Sequence, residues 1–171
     1  MLSVKKIVRF LVDNHQKIRL ALFNAYCIFI IYYTLLPRTV GDSHRADLRL
    51  MWAYREMLTG HPEWKEDVGY NVKNILFFIP FGLWFPEGFK PPSVFKDKRW
   101  LLILSAGMLF SVIIEITQYI TCRGLCETDD VLCNGLGSLL GYWLFIALRK
   151  MWHEHRVDKN KFGKLDKELD E

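Results

Sequence analysis

Glu115 stands in the run Ser111–Ile120, SVIIEITQYI, where apart from the hydroxyls of Ser111, Thr117 and Tyr119 its only polar neighbour is Gln118. An ionised carboxylate in such surroundings costs several kcal/mol unless it is paired, protonated or reached by water. Its presence therefore points to a task. A carboxylate beside an amide and a cation does one of two things: it holds a polar head group, or it moves a proton as an acid or base. The residues able to join it are Asn74, Gln118, Arg123, Asp129, Asp130 and Asn134. On one helix, Gly107, Ser111, Glu115 and Gln118 are spaced i, i+4, i+8 and i+11. On another, Asp130, Asn134, Gly137 and Gly141 are spaced i, i+4, i+7 and i+11. Each set forms a single helix face.

The elements that must position them are apolar blocks. The chain has 171 residues, 51% hydrophobic and 15% aromatic. Leu20–Leu36 and Val131–Leu148 carry no charge, and Trp100–Ile120 carries only Glu115. Runs of about 18 or more apolar residues match the roughly 30 Å of a bilayer's hydrocarbon. A fourth run, Asn71–Phe89, is weaker: its clean apolar part is Ile75–Phe85, Pro80 interrupts it, and Lys73 and Asn74 stand at its start. The pattern predicts an all-α integral membrane protein, a four-helix transmembrane bundle with spans at about 20–37, 72–89, 100–120 and 131–148.

Charge orients it. Lys5, Lys6, Arg9, Lys17 and Arg19 precede the first span, Lys90, Lys96, Lys98 and Arg99 lie between the second and third, and seven bases follow the fourth. Arg38–Tyr70 has slightly more acids than bases, and Thr121–Asp130 has Arg123 against Glu127, Asp129 and Asp130. Four crossings with both termini cytosolic put every basic segment inside, whereas three would expose Lys96, Lys98, Arg99 and the tail. The organisation expected is a basic cytosolic N-terminus over 1–19, a membrane domain over 20–148, and a charged cytosolic tail over 149–171, solvated and partly helical or disordered. The first run follows 19 polar-rich residues and lacks a small-residue cleavage site, so it reads as a retained anchor. In the first external loop, Asp42 or Ser43 caps a short amphipathic helix that Gly60 ends, with Leu50, Met51, Tyr54, Met57 and Leu58 on one face. It lies on the outer membrane surface or packs as a lid; both readings stay open.

With that topology, Glu115 sits about five residues, roughly 7–8 Å, below the outer boundary. Asn74, Gln118 and Asn134 reach a similar depth, and Arg123, Asp129 and Asp130 lie just above. Arg123 is the expected partner of Glu115. Gly137-x₃-Gly141 permits close approach of the last span, with the Gly107 and Ser111 flank of the third as its counterpart. The bland alternative is interhelical glue, each hydrogen bond contributing about 0.6–2 kcal/mol.

Of four cysteines, Cys122 and Cys126 form a C-x₃-C in the outer loop, where a local disulfide and two free thiols are both open. No metal is expected, because no histidine is near that loop in sequence and His15, His44, His61, His153 and His155 are scattered. No phosphate-cradling glycine loop, nucleophile elbow or haem signature is present, and no cofactor is expected. The net charge of +4 reflects cytosolic bases near anionic lipid rather than nucleic acid.

NILFFIPFG at Asn74–Gly82, IEITQ at Ile114–Gln118, Arg123, DDVLCNGLGSLLGYW at Asp129–Trp143, and YTLLP at Tyr33–Pro37 together resemble the VanZ-like family of bacterial membrane proteins. The resemblance covers roughly residues 20 to 148. Its motif elements fall on Asn74, Pro80, Phe81, Gly82, Glu115, Gln118, Arg123, Asp129, Asp130, Asn134 and Gly137. RGLCETDD departs from the pattern through its cysteines. The resemblance implies a protein of the bacterial cell (inner or plasma) membrane, whose namesake accompanies glycopeptide-resistance genes and confers resistance to teicoplanin.

Three functions follow as expectations. The first is an envelope protein whose outer-leaflet polar pocket, formed by Asn74, Glu115, Gln118, Arg123, Asp129, Asp130 and Asn134, binds a lipid head group or amphiphile. Its partners are then membrane lipids, a lipid-linked cell-wall intermediate or an amphiphilic antibiotic. The second is an intramembrane enzyme acting on a lipid-linked substrate, with Glu115 as acid or base. A small transporter is third, because WLLILSAGML and YWLFIAL offer no polar path to the cytosol.

Overall fold

The computed structural model describes residues 14–85, 95 and 98–169. Among them the chain forms five helices, α1 (His15–Leu35), α2 (Trp52–Thr59), α3 (Trp64–Trp84), α4 (Arg99–Thr121) and α5 (Thr128–Leu169). Two three-residue strands, β1 (Arg45–Asp47) and β2 (Leu125–Glu127), pair in parallel, with Ala46 opposite Cys126. The expected bases Lys5, Lys6, Arg9, Lys90 and Lys96, and the last residues of the second expected span, lie outside the described residues.

Three helices are long and apolar enough to cross a membrane: Gln16–Leu35, Arg99–Thr121 and Thr128–His155. At about 1.5 Å per residue, the 23 residues of α4 measure about 34 Å. Their outward faces expose Ile28, Phe29, Leu109, Ile113, Leu140 and Trp143, a surface suited to hydrocarbon. The fourth element expected to span, α3, does not join these three. It starts at Trp64, some eight residues before the expected boundary, and its first turns hold Lys65, Glu66 and Asp67. α5 continues as helix through the charged segment to Leu169.

The bundle is assembled around α5. A Cβ on Gly137 would stand 2.2 Å from the Ile75 carbonyl oxygen, and one on Gly141 1.9 Å from that of Ile79. From the opposite side, a Cβ on Gly82 would meet the Ser138 carbonyl at 1.8 Å. Three glycines thus allow α3 and α5 to touch backbone to backbone. The expected counterpart differs: Gly107 faces Ser138, and the Gly137–Gly141 stripe takes α3 because these glycines and Ser138 lie on different sides of α5. Between α1, α3 and α4 lies an aromatic core in which Phe81 packs on Phe23, Phe78, Phe85 and Phe110 at centroid distances of 5.1–5.9 Å.

Polar ties hold the helix ends. The Arg19 guanidinium donates to the carbonyls of Leu83 (2.8 Å) and Trp84 (3.3 Å) and stacks on Phe145, so one cation satisfies the C-terminal carbonyls of α3. The Tyr26 hydroxyl donates to the Phe77 carbonyl, one residue beyond the carbonyl that Pro80 cannot serve. At the other end, Cys122 ends α4 in the left-handed region (φ 52°), and the Arg123 N–H closes on the Gln118 carbonyl at 2.9 Å. The helix ending at Gly60 is shorter than expected. It starts after Met51, and the Asp42–Asp47 stretch runs into β1 instead, where it is zipped to β2.

Candidate functional site

The polar residues converge at the end of the bundle that carries the β1–β2 pair. A cavity of about 160 Å³ is lined by Asn74 of α3, Glu115 and Gln118 of α4, and Asp130 and Asn134 of α5, together with Arg38 and Lys73. Glu115, Gln118 and Asn134 are 3%, 2% and 5% exposed, as deeply buried as the apolar core. The helix spacing explains the meeting: each residue lies on its helix's bundle-facing stripe, and close α3–α5 contact brings those stripes together.

Each group has a defined partner. Asn74 Nδ2 donates to Asp130 Oδ1 at 2.6 Å, joining α3 to α5. Asn134 Nδ2 donates to Ser111 Oγ at 2.8 Å, joining α5 to α4. The Glu127 backbone N–H donates to Glu115 Oε2 at 3.0 Å. Asp129 is buried yet faces away from the cavity: its Oδ1 accepts the Met51 N–H and so anchors the start of α2. Its Oδ2, and Oδ1 of Asn134, make no hydrogen bond with a described residue.

Arg123 departs from expectation. Its Nη1 donates to the carbonyls of Leu35 (3.2 Å) and Leu36 (3.5 Å), closing the C-terminal end of α1 rather than pairing with Glu115. The left-handed turn at Cys122 directs it there. The cation that does face the cluster is Arg38, whose Nη1 donates to Gln118 Oε1 at 3.2 Å. Its only signal in the sequence is position, as the first charge after YTLLP. Lys73, counted as a charge that weakens the second span, also lines the cavity.

Above the cavity, Glu127 is half-buried, and its carboxyl is pushed up to about 7 by burial, with the Asp130, Asp47 and Asp129 carboxylates adding to the effect. Asp47 goes the other way, held below its ordinary value by the Arg49 guanidinium. Cys27, Cys122, Cys126 and Cys133 are free thiols. A histidine does come near the C-x₃-C loop: His44 Nδ1 lies 2.6 Å from the Tyr119 carbonyl, to which it donates, and 3.2 Å from Cys122 Sγ. Among the described residues no group of three or more His, Cys, Asp or Glu side chains is arranged to hold a metal ion.

Apolar helices around a buried polar cluster define a helical membrane protein. A family model described as VanZ/LLP1 matches residues 23–149, and the chain belongs to that family. It is also similar to Protein VanZ of Enterococcus faecium, 30% identical over 88 residues, which make up 52% of this chain and 51% of that protein. The chain thus spans about half the length of the curated relative it matches. No solved structure matches.

Proposed function

We propose that this VanZ-family protein is a multi-pass component of the bacterial cell membrane that contributes to teicoplanin-type glycopeptide resistance. In this reading α1, α3, α4 and α5 each cross the bilayer and both termini are cytosolic. The β1–β2 end then faces outward, and its polar cavity receives a lipid head group or another amphiphile from the outer leaflet. The observation that carries the reading is the convergence of Asn74, Glu115, Gln118, Asp130 and Asn134 from three helices on one cavity. Hydrogen bonds between α3, α4 and α5 would by themselves need fewer groups. Interhelical glue is usually satisfied in pairs, whereas Asn134, which lines the cavity, keeps an amide oxygen without a partner among the described residues. Lys73 lines this cavity and also the apolar groove that Leu22, Tyr26, Phe29, Leu76 and Trp84 form between α1 and α3, which gives a chain-bearing ligand a lateral approach.

The test is expression in a susceptible Gram-positive host, with the inhibitory concentration of teicoplanin read against vancomycin. The native chain should raise the first. Glu115→Gln and Asn134→Leu, at matched membrane levels, should return it to the host's value. Resistance retained in both variants would remove the cavity from the account.

A further inference from the structure

A second cavity lies beside the first, and Arg38 lines both. It is an open cleft of about 620 Å³ between the loop that follows α1 and the α4–β2 turn. Three guanidinium groups line it, from Arg38, Arg45 and Arg123, against one carboxylate, Asp42. None of the three arginines makes an ion pair with a described carboxylate: the ion pairs among described residues are Arg49–Asp47, His61–Glu56 and Lys150–Glu154. Arg38 and Arg123 spend one Nη1 each on neutral carbonyl oxygens of Gln118, Leu35 and Leu36. Most of their donors therefore remain open.

We infer that this cleft binds a phosphate-bearing anion, a phosphate or diphosphate group, through Arg38, Arg45 and Arg123. Guanidinium forks match the spread oxygens of a phosphate bidentately, and three cations against one lining carboxylate give the concavity a positive potential. Local backbone structure is fitted to the arrangement. Gly124 has φ +153°, and a Cβ on it would stand 2.3 Å from Arg38 Nη1 and 3.0 Å from Gln118 Oε1. Only glycine leaves Arg38 its place on the wall between the two cavities. Charge assigns the anion to the cleft rather than to the inner cavity, where the Glu115 and Asp130 carboxyl groups face Arg38 and Lys73. The inference deepens the proposed function and rests on it for the side of the membrane that the cleft faces.

The experiment uses the full chain in nanodiscs of zwitterionic phosphatidylcholine. Calorimetry measures inorganic pyrophosphate, a short polyprenyl diphosphate and, as the competing chemistry, succinate. Arg45 is exposed and its guanidinium makes no hydrogen bond or ion pair with a described residue, so Arg45→Gln is expected to leave the fold intact. Saturable binding of pyrophosphate is expected, weakened about tenfold in Arg45→Gln and again in Gly124→Ala, and falling as salt is raised. Equal binding of both phosphates assigns recognition to the anion alone. Binding of the polyprenyl compound only assigns it to a lipid head group, and both results uphold the site. No saturable binding of either, equal affinity for succinate, or an unchanged constant in Arg45→Gln would overturn it. Lost affinity in Arg45→Gln with resistance untouched leaves the cleft standing and removes the resistance reading, and resistance without any anion binding does the reverse.

Discussion

The Glu115 carboxylate accepts the backbone N–H of Glu127 at 3.0 Å, so the acid buried in the apolar length of α4 holds the β2 strand rather than an arginine. The strand in turn pairs with β1, which fixes the loop between α1 and α2 over the same end of the bundle. One carboxylate therefore couples the cavity floor to its cover.

That coupling separates two substitutions at Glu115. Gln keeps a carbonyl that accepts the Glu127 N–H, and its cost to stability should stay below about 1 kcal/mol. Ala leaves a buried N–H without a partner, at about 1–3 kcal/mol. Unfolding of the detergent-solubilised variants reads the difference. Equal losses would mean that the charge, not the hydrogen bond, stabilises this end.

The α3–α5 contact gives a second contrast. Gly137→Ala drives a methyl into the Ile75 carbonyl, which stands 2.2 Å from the new atom, and should cost about 1–3 kcal/mol or more. Gly69, in the same α3, has nothing within 4 Å of its would-be Cβ, and Gly69→Ala should add about 0.5–1 kcal/mol through helix propensity. Both are read as shifts in the midpoint of thermal unfolding. A harmless Gly137→Ala would mean that the two helices do not meet backbone to backbone.

How much of this was legible in the sequence depends on the range of the forces involved. Apolar runs announce α1, α4 and the first half of α5, because burial in hydrocarbon is a property of composition. Helix spacing brings Glu115, Gln118 and Asn134 together, because the period of a helix is fixed. Arg38 stands where Arg123 was expected because one left-handed residue, Cys122, sets where the following side chain goes, and no pattern marks it. β1 and β2 are three residues each, too short for alternation to register, and pair because the packed helices bring the α1–α2 loop beside the α4–α5 turn. The partner of the Gly137 stripe was similarly hidden. Glycine spacing shows that a close contact exists and is silent on which helix makes it.

Glu127 predicts a dependence on pH. Its carboxyl ordinarily titrates at 4.5 and in the folded chain at about 7. Between those values the folded protein holds the proton and the unfolded chain does not, so stability falls as pH rises across the window. The contribution is fully present below about 4.5 and gone above about 7. Glu127→Gln should flatten that part of the stability curve and gain most over the native chain at pH 7–8. Unfolding midpoints from pH 4 to 8 that run parallel for the two proteins would refute it.

The proposed four crossings turn on α3, whose charged first turns leave it outside the set of helices long and apolar enough to span. With α3 crossing and both termini cytosolic, the α4–α5 turn and its Cys122 lie outside; with the bundle inserted the other way round, that turn is cytosolic and the far part of α5 external. Cys122 is partly exposed, and Thr121 beside it is exposed. A membrane-impermeant maleimide on intact cells should therefore label the native chain, and the Thr121→Cys variant more strongly, with the signal reduced in Cys122→Ser. In a Cys122→Ser background, Glu154→Cys, on the exposed polar length of α5, should add no label until the cells are opened. The reverse pattern would put the arginine cleft in the cytosol. An amphiphile arriving in the outer leaflet would then have no route to it, because the polar residues all gather at that one end of the bundle.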